Sequence, residues 1–154
     1  MNPNDIKILP MRLKDIDGVM VVEKLSFTIP WSRNALIEEV SKNTFARYII
    51  AKANERVVGY AGMWKICDEC HITNVAVHPE YRGLGIGGQL LKNLILLAEE
   101  EGARAMTLEV RKNNNAAQNL YKKYGFVAAG LRKAYYADNN EDAVIMWKEN
   151  SNEN

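Results

Sequence analysis

The chain has 154 residues, 47% of them hydrophobic and 25% charged, and its 20 basic and 19 acidic side chains leave a formal net charge of +1. This length suits one domain with a core large enough to stand without staples, and the composition excludes collagen, low-complexity disorder and disulfide miniproteins. The near-neutral charge supplies no global field for nucleic acid or an anionic membrane, and no apolar run approaches the roughly 20 residues of a membrane helix.

The polar start, Met1-Asn2-Pro3-Asn4-Asp5, lacks the apolar stretch of a signal peptide. The only cysteines, Cys67 and Cys70, suit a reducing compartment, so a cytoplasmic protein is expected. Ile6-Lys7-Ile8-Leu9 reads as a short strand. Asp15 is placed to cap a helix with Ile16, Val19, Met20 and Leu25 on its apolar side. Ser32 is placed to cap a second helix carrying Leu36, Ile37 and Val40. Residues 45–52 and 57–66 read as strands joined by an Asn54-Glu55 hairpin turn, and Asp68-Glu69 separates them from a third run at 71–77. A long helix is expected over 85–101, with Leu90, Leu91, Leu94, Ile95 and Ala98 at helical spacing and Gly102 as its stop. A strand at 106–110, a helix at 116–124 stopped by Gly125, and closing strands at 126–131 and 143–147 complete the order β-α-α-β-β-β-α-β-α-β-β. Hairpins followed by crossover helices imply a mixed sheet with helices on its faces. One domain over residues 1–148 is expected, followed by a disordered tail at 149–154.

Gly83-Leu84-Gly85-Ile86-Gly87-Gly88 matches G-x-G-x-x-G through Gly83, Gly85 and Gly88, with Glu109 about twenty residues on. The context argues against a dinucleotide fold, because 78–82 intervene after the strand and antiparallel hairpins precede it. The physics is firmer than the motif. Glycines that bring bare N–H groups to a helix N-terminus make an anion site, and Arg82 adds a positive charge suited to a pyrophosphate. A ligand-free glycine turn is the alternative, although glycines near a helix start cost conformational entropy.

Cys67-Asp68-Glu69-Cys70-His71 matches the c-type haem attachment signature, but the segment falls in a hairpin turn and the chain shows no export signal. Zinc would need a fourth ligand, with His78 the only other histidine, so no metal is expected and two buried or rim cysteines are the simpler reading. Glu109, in Leu108-Glu109-Val110-Arg111, is either a solvent-facing position on an outer strand or a partly buried carboxylate suited to general-base work. Tyr121, on the following helix, is either core or catalyst.

The segment from Val75 to Gly87 resembles the acetyl-CoA motif of the GNAT N-acetyltransferases, with Arg82, Gly85 and Gly87 carrying the pattern. Pro30-Trp31-Ser32, residues 108–111, 114–121, 132–136 and 141–143 are similar to the RimI type within that family, and the resemblance spans residues 5–148. It implies an α/β (α+β) fold: a mixed, mostly antiparallel sheet of six or seven strands with a splayed central pair, flanked by about four helices. It also implies acetyl-CoA as co-substrate, with contacts from Val75, Ala76, Val77, Arg82, Gly83, Leu84, Gly85, Ile86, Gly87, Gly88 and Asn114. By the same resemblance Glu109 is the general base, Tyr121 the acid near the thiolate, and Trp31, Tyr135 and Tyr136 flank the acceptor. The implied acceptor is a protein N-terminal α-amine, that of the alanine of the eighteenth small-subunit ribosomal protein. A small-molecule amine acetyltransferase and a CoA-binding module without turnover are the competing classes. No nucleic-acid or membrane partner is expected.

Overall fold

The computed structural model describes residues 5–150. In chain order the elements are β1 (Ile6–Pro10), α1 (Ile16–Ser26), α2 (Arg33–Lys42), β2 (Ala46–Ala53), β3 (Arg56–Ile66), β4 (Glu69–Val77), α3 (Ile86–Glu100), β5 (Ala105–Arg111), α4 (Asn115–Lys123), β6 (Val127–Arg132) and β7 (Ala143–Glu149). The expected order stands, and the seven strands form one sheet in the order β1-β2-β3-β4-β5-β7-β6. Every neighbouring pair is antiparallel except β4 and β5.

The alternation of strand side chains sorts the core into two layers. On one face Ile49 and Ala51 of β2, Met106, Leu108 and Val110 of β5, and Leu90, Leu91 and Leu94 of α3 share a buried cluster. On the other face Tyr48 and Ile50 of β2 and Tyr60 of β3 pack on Ile16, Val19 and Met20 of α1 and Leu36 of α2. Since Leu108 and Val110 are committed to the α3 face, Glu109 between them lies on the α1 face.

Several local expectations hold for identifiable reasons. The Ser32 hydroxyl accepts from the Ala35 N–H at 3.1 Å and caps α2. Asn54 turns the β2–β3 hairpin at φ 55, and Gly102 and Gly125 follow α3 and α4 at φ 79 and φ 99. Others need correction. Asp15 does not cap α1 with its side chain; its carboxylate accepts from the Arg12 N–H at 2.9 Å and closes a 3-10 turn that leads into the helix. Leu25 is exposed and the apolar face of α1 is completed by Glu23, which is 1% exposed. The β3–β4 turn falls at Cys67, with φ 56, so Glu69 already belongs to β4. Cys67 is exposed and Cys70 buried. Glu149 closes β7, and buried Asn150 donates its side-chain N–H to the Ala103 carbonyl at 3.0 Å, so order runs past residue 148. Residues 1–4 and 151–154 lie outside the described residues. Among the described residues no helix is long and apolar enough to cross a membrane.

Candidate active site

β4 and β5 pair over only three positions, Glu69↔Ala105, Cys70↔Met106 and His71↔Thr107, and then part. The β3–β4 register shifts at the same place: Met63 faces Ile72 but Gly62 faces Asn74, leaving Thr73 as an extra residue. A bulge bends its strand and increases local twist, so β4 turns from β5 just where the parallel ladder ends. The sheet opens into a cavity of about 480 Å³, with Ile72 to Val75 of β4 on one wall and Leu108 to Arg111 of β5 on the other.

Two loops close over this cleft. Phe27, Thr28, Ile29 and Trp31 come from the α1–α2 connection, and Tyr135 to Asp138 from the β6–β7 connection. The Thr28 hydroxyl donates to Asp138 and ties one loop to the other. The Arg111 guanidinium donates to both Asp138 oxygens, at 3.1 and 2.7 Å, and stacks 4.1 Å from the Tyr136 ring centroid. That guanidinium, and then Thr28, hold the Asp138 carboxyl below the usual carboxylate range. The α1–α2 loop is anchored from beneath by Glu23, whose carboxylate accepts from the Trp31 N–H at 2.8 Å and from the Tyr60 hydroxyl.

The cavity brings together Glu109, Tyr121, Asn114, Val75, Trp31, Tyr135 and Tyr136 from the sequence expectation. The Glu109 side chain is 9% exposed, which removes the solvent-facing alternative. Its Oε1 accepts from the His71 ring Nε2–H at 2.7 Å and from the Tyr135 hydroxyl at 3.3 Å, while Oε2 lies 4.0 Å from Arg132 Nε. Burial pushes the Tyr121 hydroxyl up to about 12, and its ring packs edge-on to Phe126 at 5.9 Å. Burial also raises Tyr136 to about 12 against the lowering pull of Arg111. Asn114 serves first as the cap of α4, its Oδ1 accepting from the Ala117 N–H at 3.0 Å.

The glycine-rich loop leads from β4 into α3, beside the other end of the same strand. Gly83 and Gly85 both have φ +80, and a Cβ at either would meet nothing within 4 Å. Glycine is required there by the left-handed backbone, not by crowding within the chain. Gly85 is the N-cap of α3 and has no side chain to occupy the first-turn N–H groups, so those donors are left for an anion. The Arg82 side chain donates to the Val77 carbonyl at 3.2 Å. Ile86 is buried in the core and offers only backbone, whereas Gly88 makes room for Tyr124, whose Oη would lie 3.0 Å from an added Cβ. Val75, Ala76 and Val77 pair with Ala61, Tyr60 and Gly59 of β3 but have no β5 partner, so one backbone edge of β4 is free to receive an extended ligand. These features fit a pyrophosphate with an attached extended arm.

Sequence reasoning missed Glu23, His71, Arg111 and Asp138 as parts of this constellation. Glu23 was signalled by a charge interrupting the apolar face Ile16, Val19, Met20 of α1. The other three are joined to it only by tertiary pairing. Cys70, on the opposite face in the α3-side core, has its thiol pushed up to about 11 by burial, which unsuits it as a nucleophile.

The profile of the acetyltransferase (GNAT) family matches residues 16–126. A Bacillus subtilis (strain 168) protein, provisionally named a ribosomal protein bS18-alanine N-acetyltransferase, is 45% identical over 137 residues, covering 89% of this chain and 91% of its own length. The Escherichia coli (strain K12) ribosomal protein bS18-alanine N-acetyltransferase is 33% identical over 143 residues, 90% of this chain and 94% of its own. The crystal structure of the ribosomal-protein-S18-alanine N-acetyltransferase from Escherichia coli superposes with a TM-score of 0.88 at 30% identity, covering 97% of this chain and 96% of that one. Profile, relatives and splayed sheet agree, and the chain belongs to the GNAT family of acetyltransferases.

Proposed function

We propose that this chain acetylates the N-terminal α-amine of a protein, specifically the alanine that begins ribosomal protein bS18. The observation that carries this reading is the cleft between β4 and β5, with Glu109 on its wall and a rim of Trp31, Tyr135 and Tyr136. Tyr135 and Ile29 on that rim are exposed, which suits an extended peptide better than an enclosed small amine. The names carried by the relatives point the same way. The reading carries with it a cytoplasmic enzyme whose partners are acetyl-CoA and a protein N-terminus.

Acetyl-CoA, the acyl donor of this family, supplies an acetyl group activated as a thioester. In this reading Gly83 to Gly88 and Arg82 hold its pyrophosphate, Val75 to Val77 offer their free backbone edge to its arm, and Asn114 lies where that arm meets α4. An N-terminal amine, with a reference pKa of about 7.7–8.0, is roughly one-tenth neutral at pH 7, against fewer than about one in a thousand for lysine. Glu109 takes the proton the amine sheds as its nitrogen bonds the acetyl carbon, a modest demand for a carboxylate. Tyr121 donates a hydrogen bond toward the departing sulfur.

The deciding experiment offers acetyl-CoA with an alanine-initiated peptide from bS18, and separately with polyamines and free lysine, and reads acetyl transfer by mass spectrometry. Acetylation confined to the peptide's α-amine is expected. Acetylation of the small amines alone overturns the acceptor assignment, and acetyl-CoA binding without transfer to any amine overturns the enzymatic reading.

Two substitutions probe the two halves of the site. Gly85→Val introduces a β-branched residue at φ +80, at a strain of about 1–2 kcal/mol, and fills the open cradle. Acetyl-CoA affinity measured by titration calorimetry is expected to fall at least about tenfold, with peptide KM little changed. Tyr121→Phe is expected to slow kcat about tenfold with acetyl-CoA affinity within about twofold. Because burial sets the Tyr121 hydroxyl at about 12, the kcat profile should show no alkaline fall from its ionisation below about pH 11. A collapse of acetyl-CoA affinity in Tyr121→Phe would instead assign the hydroxyl to holding the cofactor and not to the chemistry.

A further inference from the structure

Resting on the reading of Glu109 as the base, we propose that His71 is its positioning residue: the His71 Nε2–H holds Glu109 Oε1, so that the base acts with Oε2. His71 and Thr107 are the last pair of the parallel β4–β5 ladder, and Glu109 follows two residues later on the same face of β5. At the point where backbone pairing between these strands stops, the 2.7 Å imidazole–carboxylate contact continues it through side chains.

The two oxygens of Glu109 are not equivalent. Oε1 accepts from His71 and, at 3.3 Å, from the Tyr135 hydroxyl, so its lone pairs are engaged. Oε2 has Arg132 Nε at 4.0 Å, beyond hydrogen-bond range, and remains free to take a proton. The second donor to Oε1 comes from Tyr135 on the ten-residue β6–β7 connection, whereas His71 stands on a central strand paired on both sides. A donor on a rigid strand fixes the carboxylate plane more firmly than one on a loop. The side chain of His71 is 37% exposed against 9% for Glu109, so the ring reaches from solvent to a carboxylate that is shielded from it.

The charged and titratable groups facing the pair come from each neighbouring element. From β6 there is Arg132, and from the β6–β7 connection come Tyr135 and Tyr136, the second of which also feels the charge of Glu109. On β3 the cross-strand neighbour of His71 is Trp64, whose indole N–H is given to Glu39 of α2. On β5 the Thr107 hydroxyl is given to the Met146 carbonyl at 3.0 Å. His71 is therefore the nearest ring donor to the carboxylate, and Arg132 the nearest cation on the far oxygen.

The test compares His71→Ala and His71→Gln in the full chain, with acetyl-CoA and the alanine-initiated peptide, across a range of pH. His71→Ala is expected to lower kcat about tenfold while the KM for acetyl-CoA stays within about twofold. The loss should appear equally in kcat/KM for the peptide across the pH range, the mark of an interaction made in the transition state and not in binding. His71→Gln, whose amide N–H can replace the lost donor without titrating, should recover most of both effects. A thermal melt of each variant confirms that the fold is retained. Unchanged kcat and kcat/KM in His71→Ala overturns the proposal, and so does a His71→Gln variant as impaired as His71→Ala. Glu109→Gln run alongside separates the two readings. If it loses activity while His71→Ala does not, only the positioning role falls; if it keeps full activity, the base assignment falls and this role with it.

Discussion

Glu109→Gln lowers kcat by about a hundredfold or more while leaving the thermal midpoint and acetyl-CoA affinity close to those of the parent chain. The expectation rests on what each oxygen of the carboxylate does. The amide oxygen of glutamine can keep the two donors now on Oε1, from His71 and Tyr135. Its NH2 then takes the place of Oε2, which has no hydrogen-bond partner to lose, since Arg132 lies 4.0 Å away. The backbone of residue 109 stays in register with Ile145 of β7. Folding therefore has little reason to notice the change, whereas a carboxamide cannot take a proton at neutral pH. The deficit should persist as pH passes the amine's reference pKa of about 7.7–8.0, because the proton Glu109 takes is the one the neutral amine sheds while bonding the acetyl carbon, and a larger neutral fraction helps parent and variant alike. Steady-state kinetics with the alanine-initiated peptide, beside a melt and a calorimetric titration, reads all three quantities. A Glu109→Gln enzyme with unchanged kcat across that range removes Glu109 from the chemistry and leaves it a strand-to-strand contact with His71.

Much of the fold was legible because its signals are local. The hairpin at Asn54-Glu55, the glycine stops at Gly102 and Gly125 and the leucine periodicity of α3 each depend on residues a few positions apart. The glycine-rich turn was legible for the same reason: Gly83 and Gly85 state their need for positive φ within a single turn. The rim of the cleft was read less fully. Arg111, Asp138 and Thr28 form one bracing network across the cleft, yet Thr28 and Asp138 are 110 residues apart and nothing in either neighbourhood announces the other. His71 was visible only as the tail of Cys67-Asp68-Glu69-Cys70-His71, where setting haem and zinc aside in favour of two plain cysteines left the histidine without a role. Strand alternation then sent Cys70 to the α3-side core and His71 to the opposite face, beside Glu109. A period-two reading of β4 against β5 would have paired them, but the register of a parallel pair is set by the crossover and the sheet, not by either strand alone.

Glu23→Ala is expected to cost about 3 kcal/mol of stability, because it strands two donors at once in a site that is 1% exposed. The Tyr60 hydroxyl and the Trp31 N–H both end on this carboxylate, and each is left buried or half-buried without an acceptor when it is removed. For a chain of this size that corresponds to a fall of roughly 6–12 °C in the thermal midpoint. The functional consequence should fall on one substrate only. Glu23 anchors the α1–α2 connection that carries Thr28, Ile29 and Trp31 to the rim, whereas the glycine-rich loop hangs from β4 and α3 on the other side of the site. Peptide KM is therefore expected to rise about tenfold, with acetyl-CoA affinity within about twofold of the parent. Glu23→Gln separates the hydrogen bonds from the charge. Glutamine can accept from the Trp31 N–H through its oxygen and donate its N–H to the Tyr60 oxygen, since a phenol hydroxyl serves as acceptor as well as donor. It should recover most of the stability and most of the peptide KM. If Glu23→Ala loses stability while peptide KM holds, the carboxylate serves the core alone and the acceptor loop is held by the Thr28–Asp138 tie. If both change and Glu23→Gln restores neither, it is the negative charge of Glu23, beside an incoming cationic amine, that the acceptor side requires.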